Sequence, residues 1–249
     1  MDVRGTVSLV TGGNGGLGRR ICHALATAGS HVAVVCRSSR DEAESVAAEL
    51  RGLGVQAEAF QADVTVRDEI IRLYDEVLRR FGKIDVLINN AAYNQSIAFK
   101  DLEGLTPDVW DQILTANTTG PFLCIREIAP IMKRQGGGRI VNISSVAGFA
   151  PTGSSIAYAV SKSALNHLTR CMAVALAPDV LVNCVAPGLM EGTRMTARLH
   201  PDQVKNARAG ALIGKAADRD DVADQVVAFV RTDSTTGQTL VIDGGRFFH

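Results

Sequence analysis

The 249-residue sequence has no excess of either charge, since 26 Lys and Arg balance 26 Asp and Glu. Without a basic patch, a sequence-independent grip on nucleic acid or on an anionic membrane has no electrostatic basis. No apolar stretch reaches the roughly 20 residues that crossing a bilayer requires. The first ten residues place Asp2 and Arg4 before a short apolar run, lacking the apolar core and cleavage site of a secretory signal. A cytoplasmic location is therefore expected. The five cysteines (Cys22, Cys36, Cys124, Cys171, Cys184) make no C-x-x-C pair, and the five histidines (His23, His31, His167, His200, His249) show no ligand spacing. Reduced, mostly buried thiols and no metal are expected. Linkers, repeats and low-complexity tracts are also missing, so a single domain over residues 1–249 is expected.

What the sequence does contain is an alternation. Short Val/Ile/Leu-rich runs at Thr6–Val10, His31–Cys36, Val55–Gln61, Ile84–Asn89, Arg139–Ile143, Val180–Val185 and Gln238–Ile242 are separated by segments of helical period. Those segments are Leu17–Ala28, Arg40–Leu53, Arg67–Phe81, Pro107–Arg134, Ser155–Leu176 and Asp220–Val230. Several of the apolar runs lack a polar alternate face, which predicts strands covered on both sides. The expected fold class is α/β, a Rossmann-type doubly wound parallel sheet of seven strands with helices on both faces. Tyr93–Gly104 and Pro187–Asp202 read as non-helical stretches following strand C-termini, where such sheets bind ligands.

The run Thr11-Gly12-Gly13-Asn14-Gly15-Gly16-Leu17-Gly18 closes the first strand and opens the first helix. Helix-terminal amides there can receive a pyrophosphate. Glycine also serves tight turns without any ligand, so it is the strand–helix context that points to a nucleotide.

Only three tyrosines occur, and Tyr158 alone has a lysine, Lys162, four residues on. That spacing puts both on one helix face. A phenol is a poor base near neutrality, but an adjacent ammonium favours its anion, which suits proton exchange with a substrate oxygen. Ser144 and Ser145 end the fifth strand, and either hydroxyl can bond a carbonyl or cap the local turn. Asn117 lies mid-helix four residues before Pro121, which has no amide to satisfy its carbonyl, so a kink is expected there.

Together these segments resemble the short-chain dehydrogenase/reductase family over nearly the whole chain. The matching pieces are T-G-x-x-x-G-x-G at Thr11–Gly18, Ala62-Asp63-Val64, Asn89-Asn90-Ala91-Ala92, Asn117, Ser145, Tyr158 with Lys162, and Pro187-Gly188. The last alanine of the fourth-strand motif stands where the family usually has glycine. The resemblance implies a catalytic set of Asn117, Ser145, Tyr158 and Lys162, the family spacing selecting Ser145 over Ser144. It also implies cofactor contacts from Gly12, Asn14, Gly16, Leu17, Gly18, Asp63, Val64, Asn90, Ala91, Pro187, Gly188 and Thr193, with Tyr158 and Lys162.

At the end of the second strand, Cys36 stands where an acid would hold the ribose 2′-hydroxyl of NAD, and Arg37 with Ser38 can pair a 2′-phosphate. NADP is therefore expected over NAD, although Gly15 occupies the family's frequent second basic position. Layout is closest to 3-oxoacyl carrier-protein reductases, which implies reduction of a 3-oxoacyl thioester or related ketone. A secondary-alcohol or sugar-alcohol dehydrogenase and a non-catalytic nucleotide-binding regulator stay open. A substrate loop at about 187–215, with Leu189, Met190, Met195 and Leu199, joins Tyr93 and Phe99 in predicting a partly apolar pocket. A homotetramer or homodimer is implied by the family and fits the two long apolar helices and the Phe247-Phe248-His249 end.

Overall fold

The computed structural model describes residues 1–193, 196 and 201–248. Its frame is one seven-stranded sheet of order β3-β2-β1-β4-β5-β6-β7, parallel at every pairing. The strands are β1 (Val7–Thr11), β2 (His31–Cys36), β3 (Ala57–Gln61), β4 (Val86–Asn89), β5 (Gly138–Ile143), β6 (Val180–Pro187) and β7 (Thr239–Ile242). Among the described residues eight α-helices and one π-helical turn connect them: α1 (Gly16–Thr27), α2 (Arg40–Arg51), α3 (Arg67–Phe81), α4 (Pro107–Leu114), the π-turn (Thr115–Thr119), α5 (Gly120–Arg134), α6 (Ile156–Leu176), α7 (Pro201–Ala209) and α8 (Arg219–Arg231).

Alternation along each buried strand builds two cores. Val10, Val34, Ile88, Val141 and Val185 face α1, α2 and α8 through Ile21, Leu25, Leu50, Val222 and Val226. Their neighbours Leu9, Val35, Leu87, Ile140 and Val182 face α3, α5 and the end of α6 through Leu73, Tyr74, Ile125, Met132 and Leu176. Burial on both faces explains why these strands read as continuous apolar runs. The order turns at β1 and β4: the chain first builds outward to β3, then crosses back and builds outward to β7. The C-terminal ends of β1 and β4 therefore flank the crevice of a topological switch point.

Three expectations are corrected. The β3 and β4 ladders start two residues late; at Asp85, just before β4, a carboxylate takes the Val7 N–H at 2.7 Å. The helix expected over Pro107–Arg134 runs unbroken between those bounds but is not α throughout, because Gly120 N–H bonds the carbonyl five residues back at Thr115 and makes a π-turn within it. The stretch Pro187–Asp202 is not wholly loop, since α7 begins at Pro201. With Val204 as its one large apolar residue, α7 has no period to read; proline at its first position was the only signal. Met195, Leu199, His200 and His249 lie outside the described residues.

Candidate active site

The glycine turn, the ends of β2, β4, β5 and β6, and the start of α6 line one continuous cleft of about 330 Å³. Every residue expected to contact cofactor lies on its wall: Gly12, Asn14, Gly16, Leu17 and Gly18 of the glycine turn, Arg37, Ser38, Asp63 and Val64 after β2 and β3, Asn90 and Ala91 after β4, Tyr158 and Lys162 of α6, and Pro187, Gly188 and Thr193 at and after the end of β6. Backbone constraint shapes the floor. Gly12 has φ 63°, and a Cβ on Gly18 would stand 2.1 Å from the Gly12 carbonyl oxygen, so α1 can begin against the turn only with hydrogen there. The resulting groove, open to N–H groups at the start of α1, fits a dinucleotide pyrophosphate.

Thr11 and Asn90 lock the turn to β4. The Thr11 hydroxyl accepts from Asn90 N–H and Ala91 N–H, each at 3.0 Å, while Asn90 Nδ2 donates to the Thr11 and Gly12 carbonyls at 2.9 and 3.0 Å. Asn90 thus braces the floor as much as it faces the cleft. Asp63 spends one carboxylate oxygen on Thr65, accepting from its amide at 2.9 Å and its hydroxyl at 2.7 Å. Thr193 is buried, with its hydroxyl 2.9 Å from that of Thr196.

At the chemical end, Ser155 caps α6 by accepting the Tyr158 N–H at 3.2 Å, so Tyr158 sits in the first turn and Lys162 one turn on. A buried row of polar residues seats that helix. Asn89, Asn142, Cys184 and Thr239 pair in register across β4 to β7, and Asn142 donates to Thr169 of α6 at 2.9 Å. Two reciprocal bonds then tie Lys162 to β5: its Nζ donates to the Ile143 carbonyl at 2.9 Å, and Ser144 donates to the Lys162 carbonyl at 3.1 Å. Ser144 therefore points away from the cleft's reacting end, as strand alternation predicts. Ser145 faces Tyr158 and also caps its own turn, accepting the Ala147 N–H at 3.2 Å.

Burial pushes the Tyr158 phenol above its ordinary range, and a hydrogen bond with Ser145 draws it partly back. Burial also pushes the Lys162 ammonium down to about 8, its nitrogen lying 5.7 Å from the Tyr158 ring centre. Asn117 is fully buried in the π-turn, with its amide spread over two elements. It accepts from Tyr93 N–H at 2.8 Å and donates to the Tyr93 carbonyl at 2.9 Å and to the Ser161 hydroxyl at 3.0 Å. Ser161 passes the link on, donating to the Tyr158 carbonyl at 2.7 Å. The sequence gives no sign of the link from Asn117 to Ser161 or of the hold that the motif residue Thr11 has on Asn90 and Ala91, because these partners are 44 and 79 or 80 residues apart.

A tyrosine–lysine pair at the mouth of a Rossmann cleft defines a nicotinamide-dependent oxidoreductase, acting on carbonyl or alcohol substrates. The chain belongs to the short-chain dehydrogenase family, whose model, described as short chain dehydrogenase, matches residues 6–204. It is 35% identical over 247 residues to a 3-oxoacyl-acyl-carrier-protein reductase of Staphylococcus epidermidis, covering 96% of this chain and 98% of the relative. Among solved structures it resembles an NAD⁺-bound xylitol dehydrogenase, with TM-score 0.91, 32% identity and coverage of 98% and 100%. It also resembles a short chain dehydrogenase from Burkholderia cenocepacia in complex with NADP, with TM-score 0.89, 32% identity and coverage of 99% for both chains. No helix among the described residues is long and apolar enough to cross a membrane, and none of their His, Cys, Asp and Glu side chains group as a metal site.

Proposed function

We propose that this protein reduces a ketone with NADPH, a 3-oxoacyl thioester being the preferred substrate class, on one domain that carries both cofactor and catalytic residues. The observation that carries the reading is the Tyr158, Lys162 and Ser145 cluster at one end of a dinucleotide-sized cleft. The bound cofactor supplies the hydride. Ser145 holds the carbonyl oxygen, and Tyr158, whose raised pKa keeps it protonated at neutral pH, donates its proton to that oxygen. Lys162 stabilises the phenolate left behind, and Asn117 fixes the neighbouring turn so that the spacing persists.

Several lines support the finer parts. The 3-oxoacyl class follows the layout and the Staphylococcus epidermidis relative. The NADP preference follows Arg37 and Ser38 on the cleft wall, with no acid at Cys36. A sugar-alcohol dehydrogenase is favoured by one observation, the close fit to xylitol dehydrogenase. A panel of 3-oxoacyl thioesters, diketones, steroids and polyols followed by NADPH absorbance separates the two. The highest kcat/KM is expected on a 3-oxoacyl thioester, and oxidation of polyols above all other activity would favour the second reading.

The location proposed is the cytoplasm, and the assembly a homotetramer or homodimer. Phe122 on α5, Val160 and Val174 on α6, and Phe248 are exposed and apolar, surface that a second copy can cover. Light scattering at micromolar concentration should read a multiple of 26.4 kDa. A bare 26.4 kDa particle would contradict it.

A further inference from the structure

We infer that Gly153 is a positioning residue: its bare α-carbon seats both the edge of the Tyr158 ring and the turn that holds Ser145, and so sets the spacing between proton donor and carbonyl-binding hydroxyl. This inference rests on the catalytic roles proposed above. Gly153 lies in residues 151–155, which join the 3₁₀ turn Val146–Gly148 to α6. Its backbone is left-handed, with φ 111°. A Cβ there would stand 3.1 Å from Ala147 Cβ, 3.1 Å from Tyr158 Cδ1 and 3.5 Å from Tyr158 Cε1. The added atom would wedge two neighbours at once, and both bear on the chemistry. The Ala147 N–H is the group that Ser145 Oγ accepts from, and the ring carries the phenol.

Glycine at a left-handed position has a simpler explanation, backbone freedom alone. Gly136, just before β5, is such a case: its φ is 91°, and a Cβ on it would meet nothing within 4 Å. Gly153 differs in its surroundings, which have little room to retreat. On one side the Ser154 carbonyl accepts the Ile97 N–H at 2.8 Å, and Ser155 caps α6. On the other, the turn that carries Ala147 lies flush on α6, where a Cβ on Gly148 would stand 2.8 Å from the Lys162 carbonyl oxygen. A methyl at 153 is therefore accommodated by a few tenths of an ångström of movement in the Tyr158 ring or in residues 145–147. Either movement disturbs the hydrogen bond between Ser145 and Tyr158, the pair on which carbonyl binding and proton delivery converge.

The test compares Gly153→Ala with Gly136→Ala, which shares the backbone strain and crowds nothing, using NADPH and a 3-oxoacyl thioester. Both variants should melt a few degrees below wild type. Only Gly153→Ala should lose turnover, by about tenfold, given that a misplacement of about 1 Å can cost roughly 100-fold. Substrate KM and NADPH affinity should change less than about twofold, because the spacing matters in the transition state rather than in binding. The double variant Gly153→Ala/Ala147→Gly frees room on the Ser145 side and should recover about threefold of that loss. Turnover in Gly153→Ala equal to that in Gly136→Ala overturns the inference. So does a loss that the double variant leaves whole, which would place the effect in the backbone of residue 153 itself. Tyr158→Phe in the same assay reports separately on the acid role. If it keeps turnover, that role fails and the inference with it, whereas an inactive Tyr158→Phe beside a fully active Gly153→Ala removes the inference alone.

Discussion

Tyr158→Phe is expected to lower turnover by roughly 10²- to 10⁴-fold, the usual contribution of a positioned general acid. The substitution removes one hydroxyl and leaves the ring, its packing and the Ser155 cap on its backbone amide intact. Folding and cofactor affinity should therefore hardly change. Lys162→Ala should differ in kind. Its ammonium is buried, bonded to the Ile143 carbonyl and close to the phenol, so its loss removes the charge that stabilises phenolate and also frees the β5 end. Turnover and cofactor affinity should fall together. Steady-state kinetics and a cofactor titration on both variants check the contrast; near-normal turnover in Tyr158→Phe would remove the acid role.

The second large effect concerns Arg37. It is exposed beyond β2 among the residues that line the cleft, and its own carbonyl accepts from Gln61 Nε2 at 3.0 Å. A charged hydrogen bond is worth roughly 1.5 to 3 kcal/mol, and about 1.4 kcal/mol is tenfold in affinity. Arg37→Ala should thus weaken NADPH by about one to two powers of ten and leave NADH nearly untouched. Dissociation constants for both cofactors decide it: equal losses would mean that Arg37 acts only as a solvated loop residue.

How far the sequence reveals this molecule depends on the range of each interaction. The strand–helix alternation is local, and it located all seven strands and every α-helix except α7. The glycine turn, the Tyr158–Lys162 spacing and the placement of Ser145 at a strand end were legible for the same reason. Pro121 announced irregularity at Asn117, because a missing amide is a local fact. The form that irregularity takes, a π-turn whose amide reaches both Tyr93 and Ser161, depends on contacts 24 and 44 residues away. The same holds for Asn14, which reads as a cofactor contact and proves to be engaged with Glu42. Ser144 is intermediate: alternation predicted that it turns from the reacting end, but not that it clamps the Lys162 carbonyl.

Hydride chemistry on a carbonyl is what separates this cleft from one that only holds a nucleotide. It is tested most directly by a single-turnover experiment in which wild-type protein, saturated with NADPH, is mixed with a 3-oxoacyl thioester. Loss of NADPH absorbance is expected, matched one for one by the 3-hydroxyacyl product, with the signal lost in Tyr158→Phe at equal cofactor occupancy. Tight NADPH binding with no product from this or any other carbonyl offered would contradict it and leave a nucleotide-binding regulator.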